Sequence, residues 1–297
     1  MPRSGQHQAA FVALWVSSVV IGWHLLVSTF ALALQNDEYT YIFMIFPISV
    51  TLICREWRTL ESRISFDGVG LVLLALAIVA GFGPLHAAAF APDMRLSVGM
   101  FALVLCWIAS FVLCFGRRAA WSVLFALLFL FALIPLPQQL LSSLITQLQW
   151  GSAWTAHGLF VLFRVPVTQQ GILLTIPGLT VEVAQECSSI RSSSILLVTA
   201  IVLAQWLLRS PSRRALVVAL SVPLSIAKNG LRIFAIAMLG THVDPAFLTG
   251  NLHRHGGIVF FVIALLVIFA LLSLLKKSEH PSPASDAKLA SANSTAG

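Results

Sequence analysis

The chain has 297 residues, of which 58% are hydrophobic and only 10% charged, and its mean hydropathy is +0.92. That composition excludes a water-soluble globule, since too little polar surface is available to cover a core made from so much apolar sequence. The formal charge of +7 is met by the positions of the basic residues around apolar segments, and no basic patch with interleaved aromatics points to a nucleic-acid partner.

A helix that crosses a bilayer needs roughly 20 mostly apolar residues. Such runs recur at Phe11–Leu34, Tyr41–Cys54, Val69–Ala89, Leu96–Phe115, Ala119–Leu133, Ile190–Leu208, Ala215–Leu239 and Gly256–Leu275. The expected fold is an all-α integral membrane protein with about eight transmembrane helices, and the lipid bilayer is its first partner. The first run is long, with only Arg3 before it and no small-x-small exit before Gln35, so it reads as a span and not as a cleavable signal peptide.

Basic residues alternate between the gaps. Arg3, Arg55 with Arg58 and Arg63, Arg117 with Arg118, Arg209 with Arg213 and Arg214, and Lys276 with Lys277 occupy every second one. By the positive-inside rule these gaps and both termini are expected to be cytoplasmic. The segments around Asp37, around Asp93, over Leu136–Ser189 and over Thr241–His255 then face the periplasm. After Leu275 the composition turns to Ser, Ala, Pro and Lys, which cannot bury enough apolar area to offset chain entropy. The expected organisation is a polytopic membrane domain over residues 1–275 and a disordered cytoplasmic tail over 276–297.

The segment Pro137–Phe163 is more polar than the spans. Leu140, Leu144 and Leu148, with Leu141 and Ile145 beside them, recur at helical spacing against Gln139, Ser142, Ser143, Thr146 and Gln149. It reads either as an amphipathic connector in the outer interface or as a polar-lined span. Val165–Val183 then combines β-branched residues with a Pro177-Gly178 turn, predicting a short periplasmic β-hairpin before the sixth span. Extended backbone cannot face lipid, so the hairpin is expected at the surface or packed on helices.

The hairpin leads into Glu186-Cys187-Ser188-Ser189-Ile190-Arg191, which opens the next apolar helix. Ser188 or Ser189 can cap that helix, and a thiol near a helix N-terminus with Arg191 close by has its thiolate favoured. Cys187 is therefore either a nucleophile or an inert interfacial cysteine. Cys54, Cys106 and Cys114 sit at or within spans with no external polar neighbourhood, and the cysteine spacing suggests neither a disulfide framework nor a zinc site. The seventh run carries Lys228-Asn229-Gly230-Leu231-Arg232-Ile233. Charges inside a span are costly and default to a functional reading, and Arg232 lies toward the outer end, on the side of Cys187. The last external loop reads Asn251-Leu252-His253-Arg254-His255-Gly256-Gly257. A His-x-His metal pair lacks further ligands, so no metal and no cofactor are expected.

Taken in this order on one side of the membrane, the motifs resemble the exosortase/archaeosortase family of multi-spanning membrane cysteine transpeptidases. The resemblance is carried by Val181–Ser193 with its Glu-Cys-Ser-Ser-Ile-Arg core, by Asn229-Gly-Leu-Arg232-Ile, and by His253 four residues before Gly257 and Ile258-Val-Phe-Phe261. It extends to Asp37–Arg55 and to Ile134-Pro-Leu-Pro137, and so to most of the chain up to Leu275. Ser189 stands where the family usually has a small residue, often Gly.

The resemblance implies Cys187 as nucleophile, His253 as proton-transfer partner and Arg232 as the group that steadies an oxyanion or the substrate carbonyl. His255 remains an alternative to His253, with the spacing to Gly257 favouring the latter. Glu186, Ser188, Arg191, Asn229, Arg254 and His255 are supporting or substrate-binding candidates, and Arg191, Arg232 and Arg254 can meet the acidic residue of a Pro-Glu-Pro recognition motif. The implied substrates are membrane-anchored exported proteins with a C-terminal sorting signal, transferred to a lipid or cell-surface acceptor at the inner membrane, with a link to exopolysaccharide production. The alternative is a non-enzymatic transport or assembly component of exopolysaccharide export. No Gly-x-Ser-x-Gly elbow and no His-Glu-x-x-His supports a serine or metalloprotease.

Overall fold

A computed structural model of the chain describes residues 3–56, 67–85, 91–183, 190–244 and 257–279. The elements in order are helices α1 (Arg3–Ile21), α2 (Trp23–Gln35), α3 (Ile42–Arg55), α4 (Val69–Leu85), α5 (Pro92–Phe115), α6 (Arg117–Ser122), α7 (Leu124–Phe129) and α8 (Gln138–Leu162). Strands β1 (Thr168–Gln170), β2 (Leu173–Ile176) and β3 (Leu179–Glu182) follow, then helices α9 (Ile190–Leu207), α10 (Pro211–His242) and α11 (Gly257–Glu279). Single 3-10 turns cover Asp37–Tyr39 and Leu130–Leu133. The chain divides into two compact units, residues 1–142 and 143–297, with α8 beginning in the first and running into the second.

Among the described residues, five helices are long and apolar enough to cross a membrane, or up to seven if two interrupted pairs each count as one span. The pairs are His7–Ile21 with Trp23–Gln35, bent by 66°, and Leu124–Leu133 with Gln138–Leu162. The remaining apolar run, at Val69, forms a shorter helix. Among the described residues each of the eight runs contributes helix, but the first and fifth are broken. The surfaces make the same case for lipid. Helix α11 is apolar on every side, yet buries only the stripe Ala264, Ile268 and Leu272 and exposes Ile258, Leu266, Phe269 and Leu274. Apolar side chains exposed around a whole helix require a non-aqueous surrounding.

The first unit is built on α5, the most enclosed of the spans. Phe111, Val112, Phe115, Ala119, Ala120 and Val123 form its core with Phe11 and Leu14 of α1. Trp107 donates Nε1–H to Ser18 Oγ at 2.9 Å, so the one polar atom of this buried indole is paired. One end of this unit is fastened where the chain cannot be helical. Pro135 and Pro137 remove backbone donors, and the carbonyls left over find side chains instead. Ser97 Oγ donates to Pro135 O at 2.7 Å and Tyr39 Oη to Leu136 O at 2.8 Å. Asp93 Oδ2 accepts Gln138 N–H at 2.8 Å, placing a negative charge at the start of α8.

At the opposite end Gly116, with φ of 85°, terminates α5 in a conformation that suits glycine. Asp67 then bridges two helix starts, accepting Val69 N–H at 3.1 Å and Arg117 N–H at 3.3 Å. Those two backbone donors, with the Arg117 charge behind them, hold its carboxyl below the ordinary range. A carboxylate with a depressed folded-state pKa stabilises the fold above its unfolded pKa of about 3.9 and stops doing so as pH falls through the folded value. Asp67→Asn is therefore expected to lower the detergent-solubilised melting temperature at pH 7, with the difference shrinking below about pH 4. Equal differences at pH 7 and pH 3 would contradict this.

In the second unit, α8 is formed by the segment whose sequence reads as a connector or a polar-lined span. It is one continuous helix of 25 residues. Its inward face is Leu141, Ile145, Gln149, Ala153, Ala156 and Phe160, while Leu140, Leu144 and Trp154 are exposed. The buried stripe runs through Leu141 and Ile145, one residue on from the exposed Leu140 and Leu144; Gln139, Ser142, Ser143 and Thr146 are exposed as well, while Gln149 and Ser152 turn inward.

The expected hairpin is instead a three-stranded antiparallel meander in the order β1-β2-β3. Pro177-Gly178, with Gly178 at φ of 80°, makes the type II turn that its sequence announces. The additional strand comes from Gly171, whose φ of 64° opens a tight turn between Gln170 and Leu173. Leu174, Ile176 and Val183 bury against Ala153, Ala156 and Phe160 of α8 and Ile233, Phe234 and Ala237 of α10. The sheet therefore lies on the end of α10 that carries Arg232.

The last helix also outlasts the sequence boundary. It runs four residues past Leu275, and Glu279 accepts the N–H groups of Arg209 and Ser210 at 2.9 and 3.0 Å, just ahead of α10. Arg213 Nη1 donates to Leu275 O at 2.7 Å and to Ser278 Oγ at 2.8 Å. The N–H groups of Arg209 and Ser210 and the Arg213 guanidinium hold this end of α11, so the helix continues into residues of low hydropathy. The rest of the expected tail lies outside the described residues.

Candidate active site

Helix α10 organises the site. From Arg213 near its start to Arg232 is nineteen residues, roughly 28 Å at 1.5 Å per residue, close to one hydrocarbon thickness. Arg213 and Arg214 thus lie about one hydrocarbon thickness along the helix from Arg232. Ser221, Ser225, Lys228, Asn229 and Arg232 are all buried, at spacings of three and four that place them on one face. Ser225 Oγ donates to Ser193 Oγ of α9 at 2.6 Å, and Lys228 Nζ donates to Ser192 Oγ. Both partners belong to the first turn of α9, so the two helices meet, antiparallel, at a polar seam.

Arg232 is only 8% exposed, although it is permanently charged. Its guanidinium lies beside Gly257, the first residue of α11: a Cβ at Gly257 would stand 3.5 Å from Nη1 and 3.7 Å from Cζ. Glycine leaves the guanidinium close to backbone there. Asn229, fully buried, sits one turn before Arg232 on the same face. Between them Gly230 allows α10 to approach α8, where its Cα faces Thr155 and the backbone of Ala156. Gln149 of α8 donates Nε2–H to Val183 O at 2.9 Å, fastening the chain as it leaves the sheet.

The residues expected from the sequence divide into two groups. Asn229 and Arg232 come together, and Arg191 stands in the first turn of α9 with its side chain exposed. Glu186, Cys187, Ser188, His253, Arg254 and His255 lie outside the described residues. The flanks of both segments are described, however: the one carrying Cys187 runs between Val183, held by Gln149, and Ile190, at the head of α9. The one carrying His253 runs into Gly257, which meets Arg232. Among the other cysteines, Cys54 is exposed at the last turn of α3, Cys106 is partly buried in α5 and Cys114 is buried near the end of α5.

The structure brings Lys228, Ser192, Ser193 and Gln149 to this region; in the sequence Lys228 stands only as a charge inside a span, with no role of its own. The rule that selected Arg232 covers it equally. The serines carry no such signal, because their role depends on which helix they face.

A family model described as transmembrane exosortase matches residues 31–270. No curated protein and no solved structure matches the chain. The match covers most of the chain, both flanks of the site and all of α10, and the protein belongs to the transmembrane exosortase family, whose members are generally cysteine-dependent transpeptidases or proteases. It is a multi-pass membrane protein.

Proposed function

We propose that the protein is a membrane-embedded cysteine transpeptidase that cleaves C-terminal sorting signals of exported proteins at the periplasmic face of the inner membrane. Both termini face the cytoplasm in this reading, as the alternating basic gaps require. The observation that carries it is the buried Arg232 guanidinium at the outer end of α10, beside the glycine on which the His253 segment ends and near the helix that the Cys187 segment opens. A permanently charged group buried in a span is too costly to keep as filler.

In the reaction, the Cys187 thiolate attacks the carbonyl of the scissile peptide. The carbonyl oxygen gains negative charge, which the Arg232 guanidinium meets with fixed positive charge that cannot be titrated away. The carbon–nitrogen bond then breaks, His253 delivers a proton to the departing amine, and a thioacyl-enzyme remains. An amine of a lipid or cell-surface acceptor attacks the thioester, giving up its proton to His253 and restoring the thiolate. Water in place of the amine makes the same site a protease. The substrate presents a short motif, an apolar helix and a basic tail, so that it is held in the same bilayer, and the acidic residue of a Pro-Glu-Pro motif suits Arg191, Arg232 or Arg254. Exported surface proteins of this kind fit a cell that produces exopolysaccharide.

The test is co-expression with a tailed substrate. The mature-size product should appear with the wild-type protein and be absent with Cys187→Ala at equal abundance in membranes, and Cys187→Ser should be nearly inactive because a serine hydroxyl lacks thiolate character. Processing by Cys187→Ala at the wild-type rate would end the cysteine mechanism.

A further inference from the structure

Lys228 is, with Arg232, one of two buried cations of α10, and the mechanism above gives it no task. Its side chain is only 6% exposed. A methionine would fill similar volume without burying a charge, so the ammonium calls for a reason. Its bond to Ser192 supplies one. Ser192 stands in the turn of α9 that begins three residues after Cys187, and the adjacent Ser193 is bound by Ser225, one turn further into the membrane along α10. One rigid helix thus carries two tethers to the chain that follows Cys187, and, one turn outward from Lys228, the guanidinium that must face the same carbonyl carbon.

We propose that Lys228 is a positioning residue: by holding Ser192 it sets the depth and register at which the chain enters α9, and so the placement of the Cys187 thiol relative to Arg232. It touches neither substrate nor thiol in this role, and the inference rests on the cysteine-transpeptidase reading. Thiol and guanidinium serve opposite ends of one carbonyl group, so their separation has little tolerance. A misplacement of about 1 Å can cost on the order of 10²-fold in rate. Farther along, Arg214, bonded to Gln205 Oε1 and Leu208 O, and the packing of Leu196, Ala200 and Ala204 with Val217 join the two helices. The Lys228 and Ser225 bonds act on the first turn of α9, the part of the helix that follows Cys187.

The experiment compares Lys228→Met, Ser192→Ala, their double mutant and Lys228→Arg on the full-length protein in membranes, with a tailed substrate and matched abundance. Lys228→Met is expected to lower kcat about 10- to 100-fold with KM within about twofold of wild type. Ser192→Ala should lose a similar factor, and the double mutant should be no worse than Lys228→Met, because both changes break one bond. Lys228→Arg, which keeps a long cationic donor, should recover part of the loss. Wild-type kcat in Lys228→Met, or a double mutant whose loss is the product of the two single losses, overturns the proposal. If Lys228→Met fails to accumulate, Ser192→Ala, which removes one oxygen, carries the same test, and wild-type kcat in that variant overturns the proposal equally. Cys187→Ala run in parallel separates the two failures: an active Cys187→Ala removes the transpeptidase reading itself, whereas an inactive Cys187→Ala beside a fully active Lys228→Met removes only the positioning role.

Discussion

Arg232→Ala is expected to reduce substrate processing by about 10²–10³-fold, the loss typical of removing a group that stabilises a developing oxyanion in a site shielded from water. The effect should fall on kcat, since the charge being met does not exist in the ground-state carbonyl. Arg232→Lys should recover little of it. Lysine keeps the charge but has a shorter, compact ammonium, and the guanidinium plane beside the Gly257 backbone is what reaches across to α11. In the proposed mechanism Arg232 and Cys187 act on one carbonyl, so the double mutant Cys187→Ala/Arg232→Ala should be no worse than Cys187→Ala. Initial rates on a tailed substrate, normalised to abundance, measure all three. Processing by Arg232→Ala within twofold of wild type would remove the residue from the mechanism.

Substitutions at Gly230 are expected to strike the fold harder than any other in the motif. A Cβ there would overlap the Thr155 side chain, with Cγ2 at 2.6 Å, and come within 3.0 Å of the Ala156 nitrogen. Helix backbone cannot yield as a flexible side chain can, so Gly230→Ala must push α10 away from α8, at about 1–3 kcal/mol for overpacking. Gly230→Leu should leave little folded protein. A crossing of this kind depends on small residues that let helix backbones approach. The nearest obstacle is the Thr155 Cβ itself, which Thr155→Ala retains, so Thr155→Gly should partly rescue Gly230→Ala where Thr155→Ala does not. Melting temperature and monodispersity in detergent are the readouts. A Gly230→Ala protein as stable as wild type would mean that the crossing is looser than its geometry.

The membrane class was legible because it rests on composition, and the order of helices because most of the apolar runs are long. Arg232 was legible for the same reason, as a charge where charge is costly. What depended on partners was not. Leu140 and Leu141 are identical in type and adjacent, and only the position of neighbouring helices decides that one faces outward and the other inward. The strand that turned a hairpin into a meander hangs on Gly171, a single residue whose positive φ has no sequence mark beyond being glycine. Glu279 looked like part of a polar tail until its backbone partners at Arg209 and Ser210 were known. Lys228 is a different case. Its signal was as strong as that of Arg232, but it stands outside the Asn229-to-Ile233 stretch that carried the family resemblance, and the motif drew attention away from it.

The polar face of α10 also bears on biogenesis. On translocon-insertion scales a lysine or arginine at a helix centre costs about 2.5–3.5 kcal/mol, and even near the boundary Lys228, Asn229 and Arg232 together offset much of what the surrounding leucines, isoleucines and valines contribute. A nascent α10 is therefore a poor candidate for partitioning into lipid by itself. Helix α9 is synthesised first, and its opening turn already displays Ser192 and Ser193, the hydroxyls to which Lys228 and Ser225 bind. A helical hairpin α9–α10 with its polar seam closed would present less polar surface to lipid than α10 alone, so the bonds proposed to align the reactive centre would also ease the entry of this polar span during synthesis.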